Sequence, residues 1–150
     1  MHLSRKIIPP VYLLASLILM FVLDRYLPVH KIITSPFHYS GILVGIFGLV
    51  LAANGVFSFK RAGTAIKPFE TSTILVTDGL YQHTRNPMYL GLVILLIGVA
   101  SYLGSLTPYL VIPVFFLIIQ QCFIKHEEPF LENIFGQEYL DYKNDVRRWF

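Results

Sequence analysis

Charge is the first thing this sequence lacks. Asp, Glu, Lys and Arg make up 14% of its 150 residues, where a soluble domain carries about a quarter. A water-facing globule is thereby excluded. With 55% hydrophobic residues and a mean hydropathy of +0.60, the chain reads as one membrane domain over 1–150. Cysteine is reduced to Cys122, so neither an intrachain disulfide nor a cysteine-based metal site is available. There is no GxGxxG and no Walker-type GxxxxGK, which excludes the soluble dinucleotide and P-loop designs, and no HExxH or nucleophile elbow. The formal net charge of +3 is not interleaved with a soluble fold, so it speaks for membrane topology and against a nucleic-acid partner.

What is present is a set of apolar runs at 7–23, 41–59, 87–103 and 109–124. They predict an all-α polytopic membrane protein with four transmembrane helices. The first run follows basic residues without a small-residue cleavage site, and reads as a retained helix. Gly41/Gly45 and Gly48/Ala52 in the second have the spacing that lets helix backbones approach closely. Asn54, in the same run, predicts an interhelical hydrogen bond before any catalytic role. The turn Gly104-Ser105-Leu106-Thr107-Pro108 makes an antiparallel hairpin of the last two spans. In the tail 125–150, Phe135, Tyr139, Tyr142, Val146 and Trp149 recur at helical spacing and predict an amphipathic helix after a break at Gly136. Placing the N-terminus inside puts only Arg25 and Lys31, of 12 Lys and Arg, on the outer side. The expected location is a multi-pass inner membrane protein, with both termini and the 60–86 connector cytoplasmic.

The longest polar passage, TSTILVTDGLYQHTRNPMYLG over 71–91, leads straight into the third span. Ile74, Leu75 and Val76 run into an Asp78-Gly79 turn signal, and Pro87 suits the first turn of a helix because its missing N–H would have no partner there. The hairpin brings Arg85, Asn86 and Tyr89 beside Glu127 and Glu128, at the far end of the fourth span. Two readings of this pairing stay open. A carboxylate there accepts hydrogen bonds from a ligand amine or ribose hydroxyls, or an Arg85–Glu ion pair fastens two helix ends, to which spacing alone leans. His83 and His126 stand too far apart to argue for a metal, and none is expected.

Three stretches carry a family resemblance: AGTAIKPF, TILVTDGLYQHTRNPMYLG and HEEPFLENIFGQEYLDYKNDVRRW. Together they resemble the isoprenylcysteine carboxyl methyltransferase family of integral membrane methyltransferases, in its bacterial and archaeal form. The first two spans match only in hydropathy. The resemblance implies S-adenosyl-L-methionine as methyl donor, contacted by Thr73, Ile74, Leu75, Val76, Tyr81, Asn86, Pro87, Met88, Tyr89 and Glu127. It implies catalytic roles for Arg85, Glu127 and Glu128, and acceptor contacts from His83, Arg85, Phe123 and His126. Asn86 stands where eukaryotic members have histidine. Phe123 stands where they carry a substrate-contacting arginine, so the acceptor is not strictly a farnesylated cysteine. The implied activity is methyl transfer to a hydrophobic acceptor reached through the bilayer, with carboxyl methylation of an isoprenylcysteine-like substrate the leading form. Methylation of a phospholipid amine or a small thiol is the alternative. A nicotinamide-dependent membrane reductase is disfavoured by the motif around Arg85 and the glutamate pair. A small four-span transporter subunit would be expected to carry a membrane-embedded acid, and here Asp24 sits only at a span's end.

Overall fold

The computed structural model describes residues 8–64 and 73–149. The expected span start at Ile7, the connector segment 65–72 with most of AGTAIKPF, and Phe150 lie outside the described residues.

Helix α1 (Pro9–Tyr26) opens on Pro9 and Pro10, which tolerate its first turn, and carries Arg25 in its last. Helix α2 (Ser40–Ala62) closes on Lys60 and Arg61 and stops at Gly63, with φ +67°. Helix α3 (Pro87–Leu103) keeps the bounds expected from sequence, with Pro87 at its start and Gly104 (φ +81°) past its end. A 3-10 turn (Thr107–Leu110) then leads into α4 (Val111–Ile118), a π-helical segment (Ile119–Ile124) and α5 (Lys125–Phe135), followed by α6 (Gln137–Asp145). Among the described residues the regular structure is all helical, joined by turns and irregular connections, with one isolated bridge, Lys31 to Ser105. Three helical stretches, Pro9–Tyr26, Phe37–Ala62 and Thr107–Phe135, are long and apolar enough to cross a membrane, and α3 is a shorter apolar helix of 17 residues. These greasy helices make the chain an integral membrane protein.

The closest helix pair is α2 on α3, and glycine permits it. A Cβ on Gly48 would lie 2.6 Å from the carbonyl oxygen of Gly91, and one on Gly91 2.5 Å from the amide of Ala52. Gly41 meets Gly98 and Tyr102 in the same way, and Gly98 meets Gly45. The small-residue spacing read in α2 thus has its counterpart in α3, where backbones touch without side chains between them. Helix α1 packs on the other side: Met20, Leu96, Phe115, Ile119, Phe123 and Ile124 are all fully buried between α1, α3 and the α4–π stretch. At the end away from the Pro87 loop, Ser105 donates to Asp24 Oδ1 (2.5 Å), and the Ile32 and Ile33 amides donate to Gly104. That pins the α1–α2 connector on the α3–α4 turn.

Three expectations are corrected. Among the described residues Asn54 makes no interhelical bond: its amide donates to Val50 O within α2, at 3.0 Å. The fourth helix does not stop at 124 but runs on through α5 to Phe135, where Gly136 (φ +54°) breaks it. Val146 and Trp149 are not on the amphipathic helix, because α6 ends at Asp145 and Val146 is extended (φ −117°, ψ 129°). The last described residues run back over the site as a strap.

Candidate active site

The site is built where α3 begins. Gly79, at φ +59°, opens a 3-10 turn (Gly79–Gln82) that buries Tyr81 against the edge of Phe59, with centroids 5.4 Å apart. The Thr84 hydroxyl then receives the Asn86 amide at 3.2 Å, so the chain enters α3 through Asn86-Pro87. Met88 lies against Gly55 of α2. Tyr89, one helical turn beyond Arg85, points to the neighbouring helix and donates to Glu127 Oε1 at 3.0 Å. Phe123, one turn before Glu127, lies under this contact, edge-on to Tyr12 (5.6 Å) and 6.5 Å from the Tyr89 ring. The π-helical segment ends just before the glutamate pair. Such an insertion shifts the facing of the residues around it, and π segments recur at functional sites.

The two glutamates divide. Glu128 is buried and taken by two cations: Arg148 grips it with Nε (2.8 Å) and Nη2 (2.5 Å), and Arg85 Nη2 lies 3.2 Å away. The ion pair that fastens helix ends is therefore present, at Glu128. Among the described residues Glu127 has a neutral partner, the Tyr89 hydroxyl. It lies past Ile124, where the apolar run ends. Burial pushes its carboxyl up to about 7, against the pull of the Tyr89 hydrogen bond and with the help of the Glu128 charge. Tyr139 and Tyr142 complete the wall. Burial raises both phenols, Tyr139 to about 12, while the Arg85 charge acts to lower them.

The strap closes the site. Arg85 donates its amide to Arg147 O (3.0 Å), while Thr84 Oγ1 and Asn86 Nδ2 donate to Arg148 O (3.2 and 3.0 Å). Tyr142 donates to Tyr81 O at 2.7 Å. Trp149 donates to Gln120 at 2.9 Å and stacks 4.6 Å from Phe116. Against so much pairing, the Tyr81 hydroxyl and Arg85 Nε and Nη1 are buried without a partner among the described residues. Native proteins pair nearly all such groups, so these atoms are candidates for binding a ligand.

Of the residues expected at the site, Arg85, Asn86, Tyr89, Phe123, Glu127 and Glu128 gather where the start of α3 meets the π segment, α5 and the strap, while Tyr81 and Met88 lie on the α2 side beside Gly55 and Pro87 opens α3 between them. Thr73 and Ile74 are exposed, Leu75 half-buried and Val76 buried, and Thr73 is tied back to the end of α2 by its amide on Thr64 Oγ1 (3.0 Å). His83 and His126 are exposed; the His83 amide donates to Leu80 O in the turn, and neither imidazole joins the hydrogen bonds of the site among the described residues. No group of metal-ligating side chains occurs among the described residues. Sequence reasoning missed Thr84, Gln120 and above all Arg148. Its one signal was the Arg-Arg-Trp that closes the third matching stretch.

The model of the phospholipid methyltransferase family matches residues 36–138. An uncharacterized protein of Haemophilus influenzae is 44% identical over 62 residues, 41% of this chain and 98% of that one. The protein-S-isoprenylcysteine O-methyltransferase of Schizosaccharomyces pombe is 36% identical over 76 residues, 49% of this chain and 31% of that enzyme. A probable protein-S-isoprenylcysteine O-methyltransferase of Oryza sativa subsp. japonica is 31% identical over 113 residues, 72% and 58% of the two chains. Among solved structures, the eukaryotic intramembrane Ras methyltransferase ICMT (isoprenylcysteine carboxyl methyltransferase) shares the fold, with a TM-score of 0.69, 24% identity, and 94% and 51% coverage. The chain spans between 31% and 58% of the length of these isoprenylcysteine methyltransferases.

Proposed function

The chain belongs to the phospholipid methyltransferase family, and from that premise we propose that it transfers a methyl group from S-adenosyl-L-methionine to a hydrophobic acceptor drawn from the bilayer. The acceptor class we assign is an isoprenylcysteine-like carboxylate. The observation that carries this reading is the contrast between the two glutamates. Glu128 has two arginines, whereas Glu127 is a half-buried carboxyl whose partner among the described residues is the neutral Tyr89 hydroxyl. A cationic ligand supplies the counter-charge that Glu127 lacks.

The donor supplies an electrophilic methyl on a sulfonium; the protein's task is placement. Glu127 as carboxylate holds positive charge near Tyr89, and the Tyr81 and Tyr89 rings offer π faces to a cation. Asn86, Pro87 and Met88 shape the wall at the start of α3, and 73–76 approach from the α2 side. Arg85, whose Nε and Nη1 are buried without a partner among the described residues, donates to an anionic acceptor group from the guanidinium edge that Glu128 leaves open. In-line displacement then needs orientation above all, and a carboxylate acceptor loses no proton, so no strong base is required. Phe123 keeps the floor apolar. The strap and the tyrosines of α6 exclude water, which strengthens the fixed charges.

Arg85 would also suit a phosphate, and the family's name favours a phospholipid amine as second reading. Both share a topology in which all four apolar helices cross the membrane and the site opens to the cytoplasm. The test offers acetyl-farnesylcysteine, phosphatidylethanolamine and a small alkyl thiol as acceptors of a labelled methyl at equal protein and donor. Methylation of the farnesylcysteine, lost in Arg85→Ala, is expected. Methylation of the phospholipid or thiol alone moves the assignment to the second reading, and methylation of none refutes it.

A further inference from the structure

We propose that Arg148 is a positioning residue that acts through Glu128: by occupying both carboxylate oxygens it keeps Arg85 from doing so, and leaves the Arg85 guanidinium free to hold the acceptor. The inference rests on the methyl-transfer reading for what Arg85 holds, but not for the arrangement itself.

The geometry is a competition between two forks for one carboxylate. A guanidinium and a carboxylate prefer two parallel hydrogen bonds. Glu128 makes that pair with Arg148, through Nε to Oε1 at 2.8 Å and Nη2 to Oε2 at 2.5 Å. Arg85 is left a single contact with Glu128, Nη2 to Oε1 at 3.2 Å, and lies beside the Tyr139 phenol, although its side chain is only 9% exposed and its Nε and Nη1 are buried. With both oxygens of Glu128 free, Arg85 would turn its Nε/Nη2 edge onto them and spend Nε, which has no partner among the described residues. A second cation 20 residues further along the chain than Glu128 therefore sets what the first one can bind.

Arg148 does not have to hold the strap in place for this to be tested. The strap is fixed by its backbone, through Arg147 O and Arg148 O, and by Trp149 on Gln120 and Phe116. The Arg148 side chain is 30% exposed, so its truncation opens no core cavity. A purely structural role would appear as lost stability and a fallen kcat. A positioning role would appear in acceptor recognition alone.

The experiment uses full-length protein in detergent, with three forms: wild type, Arg148→Met, and Arg148→Met with Glu128→Leu. The first readout needs no turnover. In protein labelled with 15N-arginine, the Arg85 Nε–H resonance, assigned by its loss in Arg85→Lys, should move and become protected from exchange in Arg148→Met. The second readout is kinetics with acetyl-farnesylcysteine. The KM for this acceptor should rise about tenfold to a hundredfold in Arg148→Met, the loss of charge-assisted hydrogen bonds, while kcat and the melting shift with S-adenosylhomocysteine hold. The double variant removes the trap as well as the competitor and should restore the KM; a structural clamp predicts that it is worse than the single. An unmoved Arg85 Nε–H signal in Arg148→Met, or a double variant no better than the single, overturns the inference. If wild type methylates nothing, the proposed function fails while the resonance still decides the arrangement.

Discussion

Replacing Glu127 by glutamine removes one charge and keeps the side chain's shape. In the structure this carboxyl accepts from the Tyr89 hydroxyl at 3.0 Å, stands apart from the arginine pair on Glu128, and is pushed up to about 7 by burial. If its carboxylate faces a cationic donor, the variant forfeits a charge-assisted contact of about 1.5–3 kcal/mol. At about 1.4 kcal/mol per decade, the dissociation constant for S-adenosylmethionine should rise roughly ten- to a hundredfold. Stability should move the other way. Glutamine preserves an acceptor for Tyr89 and removes the cost of burying an ionisable acid, so ligand-free Glu127→Gln should melt at or above wild type at pH 8. Titration calorimetry and thermal melts in the same detergent give both numbers on one sample. Unchanged affinity, or a clear fall in melting temperature, would refute the assignment of Glu127 to the ligand and make it a second helix fastener.

Gly91→Ala should cost 1–3 kcal/mol or more, roughly the penalty of overpacking, because its Cβ would lie 2.5 Å from the Ala52 backbone. Gly45→Ala, whose nearest contact would be Leu95 Cδ1 at 3.6 Å, should be tolerated; equal melting of the two variants would deny the close α2–α3 contact. Affinity for S-adenosylmethionine should rise with pH through about 7 as Glu127 gives up its proton, and lie flat in Glu127→Gln. For the ligand-free protein the sign reverses. A carboxyl raised from 4.5 to about 7 in the folded state stabilises it at low pH, and that contribution is lost as pH rises through this window; a wild type minus Glu127→Gln stability difference that grew with pH would contradict it. Cysteines placed at Lys60 and Lys31 should react with impermeant reagents from the cytoplasmic and outer sides respectively, and the reverse pattern would overturn the topology.

Much of this was legible in the sequence because the signals were local. Pro87 and Gly104 fix the ends of α3 by their own backbone chemistry. The glycines of α2 announced a close approach, although not that Gly91 and Gly98 would receive it. The hairpin was enough to bring Tyr89 to Glu127. Three motifs carried the family resemblance, which the matches to isoprenylcysteine methyltransferases bear out. The division of labour between Glu127 and Glu128 was not legible. Adjacent acids at the same distance from Arg85 look alike until Arg148 chooses one, and that choice comes from a strap whose return is set by contacts 62 and 64 residues apart in sequence. Helical spacing misled at Val146 and Trp149 because an apolar residue every three or four positions also suits a chain that folds back over a ring of tyrosines. His83 and His126 were chosen for their chemistry, and exposure, which no spacing reports, left both outside the hydrogen-bonded site.

The most direct test of the central claim is the binding of S-adenosylhomocysteine to the purified, monodisperse protein, followed by its melting temperature. The account predicts saturable binding, with about 2.7 kcal/mol of stabilisation at roughly a hundredfold excess over the dissociation constant, and competition with S-adenosylmethionine for one site. Absence of binding by both ligands, with no melting shift from either, would contradict it.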